Sequence, residues 1–145
     1  MSVIAFDGKT MAADRQATFG DSALSASKVF AHEGVMYGCC GNYEDTLLFR
    51  QWVEGGQREK DMPELESCGF LVHDPEQGLF LMSERLVPIP VEAEKWAIGS
   101  GADFARGAMA AGKSAEQAVE ITCDLCLSCG EGIEVLRRST KRRKG

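Results

Sequence analysis

Short apolar runs separated by turn-forming residues dominate the first two thirds of the chain. Three pairs of runs predict three β-hairpins: Val3–Phe6 with Thr10–Ala13, Val29–Ala31 with Val35–Cys40, and Phe70–His73 with Leu79–Ser83. Asp7-Gly8, which separates the first two runs, is a dipeptide typical of tight hairpin turns. Asp74–Gly78 separates the last two and is similarly rich in turn formers.

Helical spacing replaces this pattern in three segments. Thr46–Val53 places Leu48 and Phe49 on one apolar face and stops at a pair of glycines. Asp103–Ala111 is rich in alanine, and a third helix runs from Ser114 to about Ser128. Ser114 is followed three residues later by glutamine, the pattern of a capping box.

The order of these elements indicates the fold class. Strands, a helix, further strands, two helices and a last strand at Ile133–Leu136 predict antiparallel sheets flanked by helices, an α+β layered fold. The charged segment Gln57–Ser67 contains a proline and is predicted to be a loop.

Length and charge limit the organisation and the partners. The chain has 145 residues, which fits one domain at 1–136 followed by a basic, disordered tail at 137–145. The tail holds six of the 16 basic residues, so ten bases accompany 22 acids in the rest of the chain. An acidic body argues against a nucleic-acid-binding face on the folded domain. Without a long apolar run or a signal peptide, we expect a cytoplasmic protein that does not enter a membrane.

The six cysteines suggest reduced thiols rather than a disulfide framework. Cys123, Cys126 and Cys129 are spaced like part of a zinc or iron–sulfur ligand set. The same spacing on a helix is also that of small buried apolar residues, and no second matching motif supplies a fourth ligand. We favour core packing and keep a metal or redox site as an alternative.

Ser2 follows the initiator methionine, which is normally removed before a small residue. A free N-terminal serine holds a nucleophile and a base together, because its α-amine has an ordinary pKa of about 7.7–8.0. Many proteins begin in this way, so Ser2 alone is weak evidence for catalysis.

Four further motifs, in order, resemble proteasome β-type subunits. Gly8–Thr18 (GKTMAADRQAT) resembles the family's G-x-x-x-A-A-D-x-x-A-T stretch, and Lys28-Val29 matches the Lys-Val that begins its third strand. Gly38–Asp45 looks like its G-x-x-G-x-x-x-D turn, and Ala97–Gly101 like its A-I-G-S-G. Together they cover most of the chain from Ser2 to Leu136. The chain is similar in particular to the HslV-type peptidase and to small proteasome-like proteins of phages and prophages.

The resemblance implies a four-layer αββα sandwich, the Ntn-hydrolase fold, and a role for each matched residue. Ser2 would be the nucleophile, Lys28 the cation beside it, and Asp14 the partner of that lysine. Gly41 would donate its amide to an oxyanion, and Ser100 would hydrogen-bond around the N-terminal amine. The remaining positions that the resemblance assigns are Cys39 and Tyr43 in the substrate pocket and Asp124 near the site.

The resemblance also carries expectations about cofactors and partners. No cofactor is expected to be required, although the backbone carbonyls of Cys123, Cys126 and Cys129 align with a monovalent-cation site (Na⁺ or K⁺). A peptide or unfolded protein would be the substrate, a homo-oligomeric ring would shelter the site, and an unfoldase ATPase is a further expected partner. The loop Gly55–Ser67 stands where the family has a long ring-building helix, so the assembly can differ.

Two functional hypotheses follow. The first is a peptidase of the N-terminal serine/threonine type, which cleaves with Ser2 after Met1 is removed. The second is a catalytically inactive proteasome-like protein that retains Met1 and serves in assembly or binding. The fold alone does not decide between them.

Overall fold

The computed structural model describes residues 2–19, 21–126 and 129–138. Its elements in chain order are β1 (Ile4–Phe6), β2 (Thr10–Asp14), β3 (Gln16–Phe19), β4 (Ser22–Ser25), β5 (Val29–His32), β6 (Val35–Gly41), α1 (Tyr43–Glu54), a 3₁₀ turn (Glu59–Asp61), β7 (Cys68–Asp74), β8 (Gly78–Ser83), β9 (Ile89–Pro90), β10 (Trp96–Ile98), α2 (Ala102–Ala110), α3 (Ala115–Leu125) and β11 (Ile133–Arg137). The three predicted hairpins are confirmed as β1–β2, β5–β6 and β7–β8. None of the described helices has the length and apolar character needed to cross a membrane.

Two antiparallel sheets stack face to face at the centre of the fold. The first has the strand order β10-β1-β2-β11, and the second has the order β5-β6-β7-β8-β9. Alternate side chains of each strand enter the space between the sheets: Ile4, Phe6, Met11, Ala13, Val29, Met36, Leu71 and Leu79. Gly38 lets the sheets approach closely, because a Cβ at this position would collide with the side chain of Ile4.

The helices cover the two outer faces. α2 and α3 pack on the first sheet through a cluster rich in alanine: Val3, Ala5, Ala12, Ala97, Ala105, Met109, Ala115, Ala118 and Val119. α1 packs on the second sheet through an aromatic cluster: Phe30, Val35, Tyr37, Cys39, Phe49, Val53, Phe70 and Val72. The layers are therefore helix, sheet, sheet and helix, and the predicted αββα sandwich is confirmed.

The first helix differs from its prediction in its start and in its buried face. It begins at Tyr43 rather than Thr46, because the Asn42 side chain caps it by accepting a hydrogen bond from the Glu44 amide at 2.9 Å. Its buried residues are Asp45, Thr46, Phe49 and Val53. Leu48 was assigned to the buried face and is 43% exposed, so that part of the prediction is wrong.

The third helix has the predicted capping box and a shorter C-terminal end. Ser114 and Gln117 form both reciprocal hydrogen bonds of the box. The helix ends at Leu125 and Cys126 is already extended, whereas the prediction continued to Ser128, which lies outside the described residues. The last strand includes Arg137, which the sequence assigned to the tail, and residues 139–145 lie outside the described part of the chain.

A small hairpin formed by β3 and β4 was missed by the sequence analysis. It makes a separate two-stranded sheet, and every residue of β4 is exposed. A strand without a buried face has no apolar alternation, so the pattern on which strand prediction depends is missing. This hairpin nevertheless forms one wall of the candidate site.

His73 is a buried histidine whose ring lies between the two sheets. Its ring stacks on Phe6 with 4.5 Å between centroids, and its Nδ1 is buried without a hydrogen-bond partner in the described structure. Burial lowers the pKa of His73 below its ordinary value of 6.5, and the positive charge of Arg138 lowers it further, while Asp74 opposes the shift. The folded state therefore favours the neutral ring.

We expect the protein to lose stability as the pH falls below about 6.5. The unfolded chain binds a proton at His73 at a higher pH than the folded chain does, so the free energy of unfolding falls between the unfolded and the folded pKa values. Urea unfolding of the wild type and of His73→Phe at pH 7.5 and pH 5 measures this. His73→Phe should lose less on acidification, while the control His32→Gln, which removes the other histidine, should behave like the wild type. Equal losses in wild type and His73→Phe would contradict the prediction.

Candidate active site

A buried ion pair with a serine hydroxyl beside it lies at one edge of the sandwich. Lys28 Nζ lies 3.0 Å and 2.9 Å from the two carboxylate oxygens of Asp14 and 3.0 Å from Ser2 Oγ. Asp14 is fully buried and Lys28 is 5% exposed. All three ammonium hydrogens thus have acceptors, and one of those acceptors is the serine hydroxyl.

Backbone amides fix the carboxylate of this pair. Asp14 is the last residue of β2, and its Oδ1 accepts from the Val3 amide at 3.1 Å while its Oδ2 accepts from the Gln16 amide at 3.3 Å. These hydrogen bonds give the buried carboxylate oxygens partners in addition to the lysine. Because Val3 follows Ser2, the same carboxylate positions both the lysine and the residue next to the hydroxyl.

A cavity of about 720 Å³ opens beside Ser2. Lys28, Cys39 and Thr46 lie at its buried end, and Leu24 and Leu47 are exposed at its rim. The β3–β4 hairpin and the start of α1 form opposite walls. Among the described residues that line the cavity, Lys28 and Glu44 are the two of a charged residue type, and most of the lining surface is apolar.

Gly41 forms a tight turn on the wall of this cavity. Its φ is +98°, and a Cβ there would lie 2.6 Å from the Ser67 carbonyl oxygen and 2.8 Å from Cys68 Cα. Asp45 holds that neighbouring segment, since its carboxylate accepts from the Ser67 amide at 2.8 Å and from the Glu66 amide at 3.0 Å. The Ser67 carbonyl in turn accepts from the Asn42 amide at 2.9 Å. Only glycine fits this position without displacing backbone.

The loop after β10 contacts the backbone of Ser2. The Gly101 amide donates to the Ser2 carbonyl at 3.3 Å. Gly99 has a φ of +98°, and a Cβ there would collide with that carbonyl. The Gly-Ser-Gly of the sequence motif therefore lets this loop lie directly on the N-terminal residue.

Comparison with solved structures identifies the architecture. BPH from Thiobacillus denitrificans, a proteasome-like protein, is 19% identical, with 97% of this chain and 100% of that chain covered and a TM-score of 0.71. Its structure in complex with epoxomicin gives 18% identity, coverage of 96% and 100%, and a TM-score of 0.71. HslV from Trypanosoma brucei is 23% identical, with coverage of 94% and 99% and a TM-score of 0.64. The chain has the proteasome-type Ntn-hydrolase fold.

No family model and no curated protein sequence matches the chain. The Ntn-hydrolase fold that the four motifs implied is nevertheless confirmed over nearly the whole chain. Since identity is below 25%, the likeness establishes the fold, and the chemistry has to be argued from the residues.

The Ntn-hydrolase fold brings most of the predicted site residues together. Ser2, Asp14 and Lys28 are in direct contact, and the predicted pocket residues Cys39 and Tyr43 both line the cavity with Gly41. Ser100 lies in the loop that touches Ser2, but it is exposed. Asp124 is exposed on the last turn of α3, and no hydrogen bond or ion pair of the described residues joins it to Ser2, Asp14 or Lys28.

The cysteine motif is not a thiolate metal site in the described part of the chain. Within residues 2–19, 21–126 and 129–138, no group of three His, Cys, Asp or Glu side chains is placed to hold a metal ion. Cys123 and Cys129 are partly buried against the helix-side core. Burial raises the pKa of both thiols, as expected for packing residues. The prediction that all three lie on one helix is wrong, because α3 ends before Cys126.

The three cysteines whose carbonyls are expected to bind a monovalent cation differ in backbone conformation. Cys123 belongs to the last helical turn, whereas Cys126 has left the helix and its carbonyl accepts from the Cys129 amide at 3.3 Å. The monovalent-cation site at these carbonyls stays a prediction.

The sequence analysis missed three features of the site. The β3–β4 hairpin supplies a wall of the cavity, Gly99 allows the close approach to Ser2, and Ser27 and Glu134 make a hydrogen bond next to Lys28. Gly99 lies in the Ala97–Gly101 motif, so the local sequence pointed to it. The Ser27–Glu134 contact joins residues 107 positions apart, and no local sequence pattern indicates it.

Gly41→Ala should destabilise the protein by about 3 kcal/mol, because it combines a strained φ with a backbone collision. Gly56→Ala is a matched control: its φ is +99° and nothing lies within 4 Å of the added Cβ. It should cost only about 1 kcal/mol, the penalty of the left-handed conformation. Urea unfolding of the two variants measures the difference, and equal losses would show that the contact with Ser67 and Cys68 is not a constraint.

Proposed function

We propose that the protein is an N-terminal-nucleophile hydrolase that cleaves peptide bonds with Ser2 once Met1 has been removed. The observation that carries the proposal is the 3.0 Å contact between Lys28 Nζ and Ser2 Oγ, made at the buried end of a cavity by a lysine that a buried carboxylate holds in place. A buried cation next to a hydroxyl stabilises the alkoxide that attacks a carbonyl.

Each group has a role in this reaction. The freed α-amine of Ser2 takes the proton from Oγ, directly or through a water, as Oγ forms a bond to the scissile carbonyl carbon. The resulting oxyanion is stabilised by the amide at Gly41. The tetrahedral intermediate collapses to an acyl-enzyme when the leaving amine takes the proton from the α-ammonium group. Attack of water on the ester, with the same amine as base, then releases the acid and regenerates Ser2.

Ser2 is a better candidate than the thiol in the same cavity. Cys39 lines the cavity but is 1% exposed, and burial raises its pKa well above the ordinary value. A buried neutral thiol is a poor nucleophile, because the thiolate is the reactive form. The ammonium group of Lys28 contacts the hydroxyl of Ser2, so its positive charge favours Ser2 over Cys39 as the nucleophile.

The comparison structures add support at the level of the fold. BPH, which has the same fold over its whole length, has been solved in complex with epoxomicin, and we choose this compound as a test ligand for the present protein. The competing hypothesis, an inactive protein that retains Met1, uses the same fold without the free amine. Processing at Met1 distinguishes the two.

The purified protein should have the mass of a chain that begins at Ser2 and should hydrolyse fluorogenic peptides. Ser2→Ala should lower kcat/KM about 1,000-fold or more, whereas Ser2→Thr retains the hydroxyl and should stay active. Epoxomicin should add its mass to the wild type and not to Ser2→Ala. An active Ser2→Ala variant would overturn the assignment, and an inactive wild type that retains Met1 would favour the non-catalytic protein.

Lysine variants separate chemistry from folding. Lys28→Met leaves the Asp14 carboxylate buried without its cation, which should cost about 3 kcal/mol of stability. The double variant Asp14→Asn/Lys28→Met removes both charges and should recover part of that loss. Both should be inactive. A folded double variant with wild-type kcat/KM would show that the ion pair has no catalytic part.

We further propose that the active form is a homo-oligomer that acts on peptides or unfolded proteins, with an unfoldase ATPase as a candidate partner. The HslV-like fold supports this, and exposed apolar side chains on two helices (Leu47, Leu48 and Phe104) offer surfaces for association. The segment after α1 has only a 3₁₀ turn at Glu59–Asp61, so the arrangement of subunits need not follow that of HslV.

Light scattering coupled to gel filtration should give a mass of several times 15.7 kDa. Leu48→Glu places a charge on an exposed apolar position of α1 and should reduce that mass if α1 lies in the interface. A monomer at micromolar concentration would contradict the proposed assembly without bearing on the chemistry at Ser2.

A further inference from the structure

We propose that Glu134, acting through Ser27, is a positioning residue that holds Lys28 against Ser2. This inference rests on the proposed function, since it assigns a role in placing the catalytic lysine. Neither Glu134 nor Ser27 belongs to the motifs that identify the fold.

The contact between them is short and involves a charge. Ser27 Oγ lies 2.7 Å from Glu134 Oε1 and 3.1 Å from the Val29 carbonyl oxygen. A hydroxyl has only one hydrogen to donate, and the shorter distance to a carboxylate is that of a charge-assisted bond. Both side chains are partly buried, so the bond is shielded from competition by water.

Ser27 and Glu134 are sequence or strand neighbours of the two residues of the ion pair. Ser27 directly precedes Lys28 on the way into β5 of the second sheet. Glu134 lies on β11 of the first sheet, where it is paired with Ala13, the neighbour of Asp14. The Ser27–Glu134 bond and the Lys28–Asp14 ion pair therefore connect two neighbouring strands of the first sheet, β11 and β2, to the same segment leading into β5.

Lys28 is thus held from two directions. Its carbonyl accepts from the Cys39 amide at 2.8 Å, which fixes it to the second sheet, and the preceding residue is fixed to the first sheet by Glu134. A lysine side chain is long and flexible, so the placement of its ammonium depends on the placement of its backbone. A displacement of about 1 Å of a catalytic group can lower a rate by about 100-fold.

The test compares Glu134→Ala, Ser27→Ala, their double variant and the conservative Glu134→Gln, whose amide oxygen can still accept from Ser27. Glu120→Ala, which removes an exposed carboxylate from α3, is the control. Each single alanine variant should lower kcat about tenfold with KM within twofold of the wild type. The double variant should be no worse than either single variant, because both remove the same bond. Glu134→Gln should keep kcat within about threefold.

A signal that does not depend on activity separates this inference from the proposed function. With ¹³Cε-labelled lysine, the Lys28 resonance is identified by its loss in Lys28→Met. It should shift in Glu134→Ala and in Ser27→Ala, and keep its wild-type position in Glu120→Ala. An unmoved Lys28 resonance in both alanine variants would overturn the inference. A shifted resonance in a protein whose wild type hydrolyses no peptide would support the positioning role and refute the peptidase.

Discussion

The Lys28–Asp14 ion pair joins the two sheets at the point where the candidate site is formed. Asp14 ends a strand of the first sheet, and Lys28 leads into a strand of the second. Their separation of 2.9 Å therefore fixes how the sheet edges sit relative to each other, and with them the hydroxyl of Ser2. Three further features of the site lie around this pair: the cavity wall at Gly41, the loop that touches Ser2, and the contact at Ser27.

Close approaches of backbone, made possible by glycine, surround the pair. Gly38 brings the second sheet against Ile4, and Gly99 brings the loop after β10 against the Ser2 carbonyl. Gly41 does the same for the segment at Ser67. At each of these three glycines, a Cβ atom would collide with the neighbouring residue. The site is consequently built from main chain held tightly on several sides, the rigid support that precise placement of a few polar side chains requires.

The parts of the structure that the sequence predicted are those with local causes. The three hairpins follow from apolar runs and turn residues such as Asp7-Gly8, and α3 follows from the capping box at Ser114. Ser2, Asp14 and Lys28 were predicted from the ordered motifs that resemble a known family, because the periodicity of apolar residues does not indicate them. The strand β4 was not predicted, because all of its residues are exposed and it has no apolar alternation. Leu48 was assigned to the buried face wrongly, because helical spacing does not show how wide the buried stripe of a helix is. The Ser27–Glu134 bond joins distant polar side chains, for which no periodic signal exists.

A buried ion pair is a poor means of stabilising a fold, and this bears on why it is present. Two apolar residues of similar volume would often serve stability as well or better, since removing both charges from water has a large cost. The described residues already form three extensive apolar clusters, one between the sheets and one under each helical layer. The pair therefore stands where stability does not require it, at the end of a cavity and in contact with a hydroxyl. An arrangement that is unfavourable for folding, and that places a cation on the hydroxyl of Ser2, is more readily explained by the proposed chemistry than by packing.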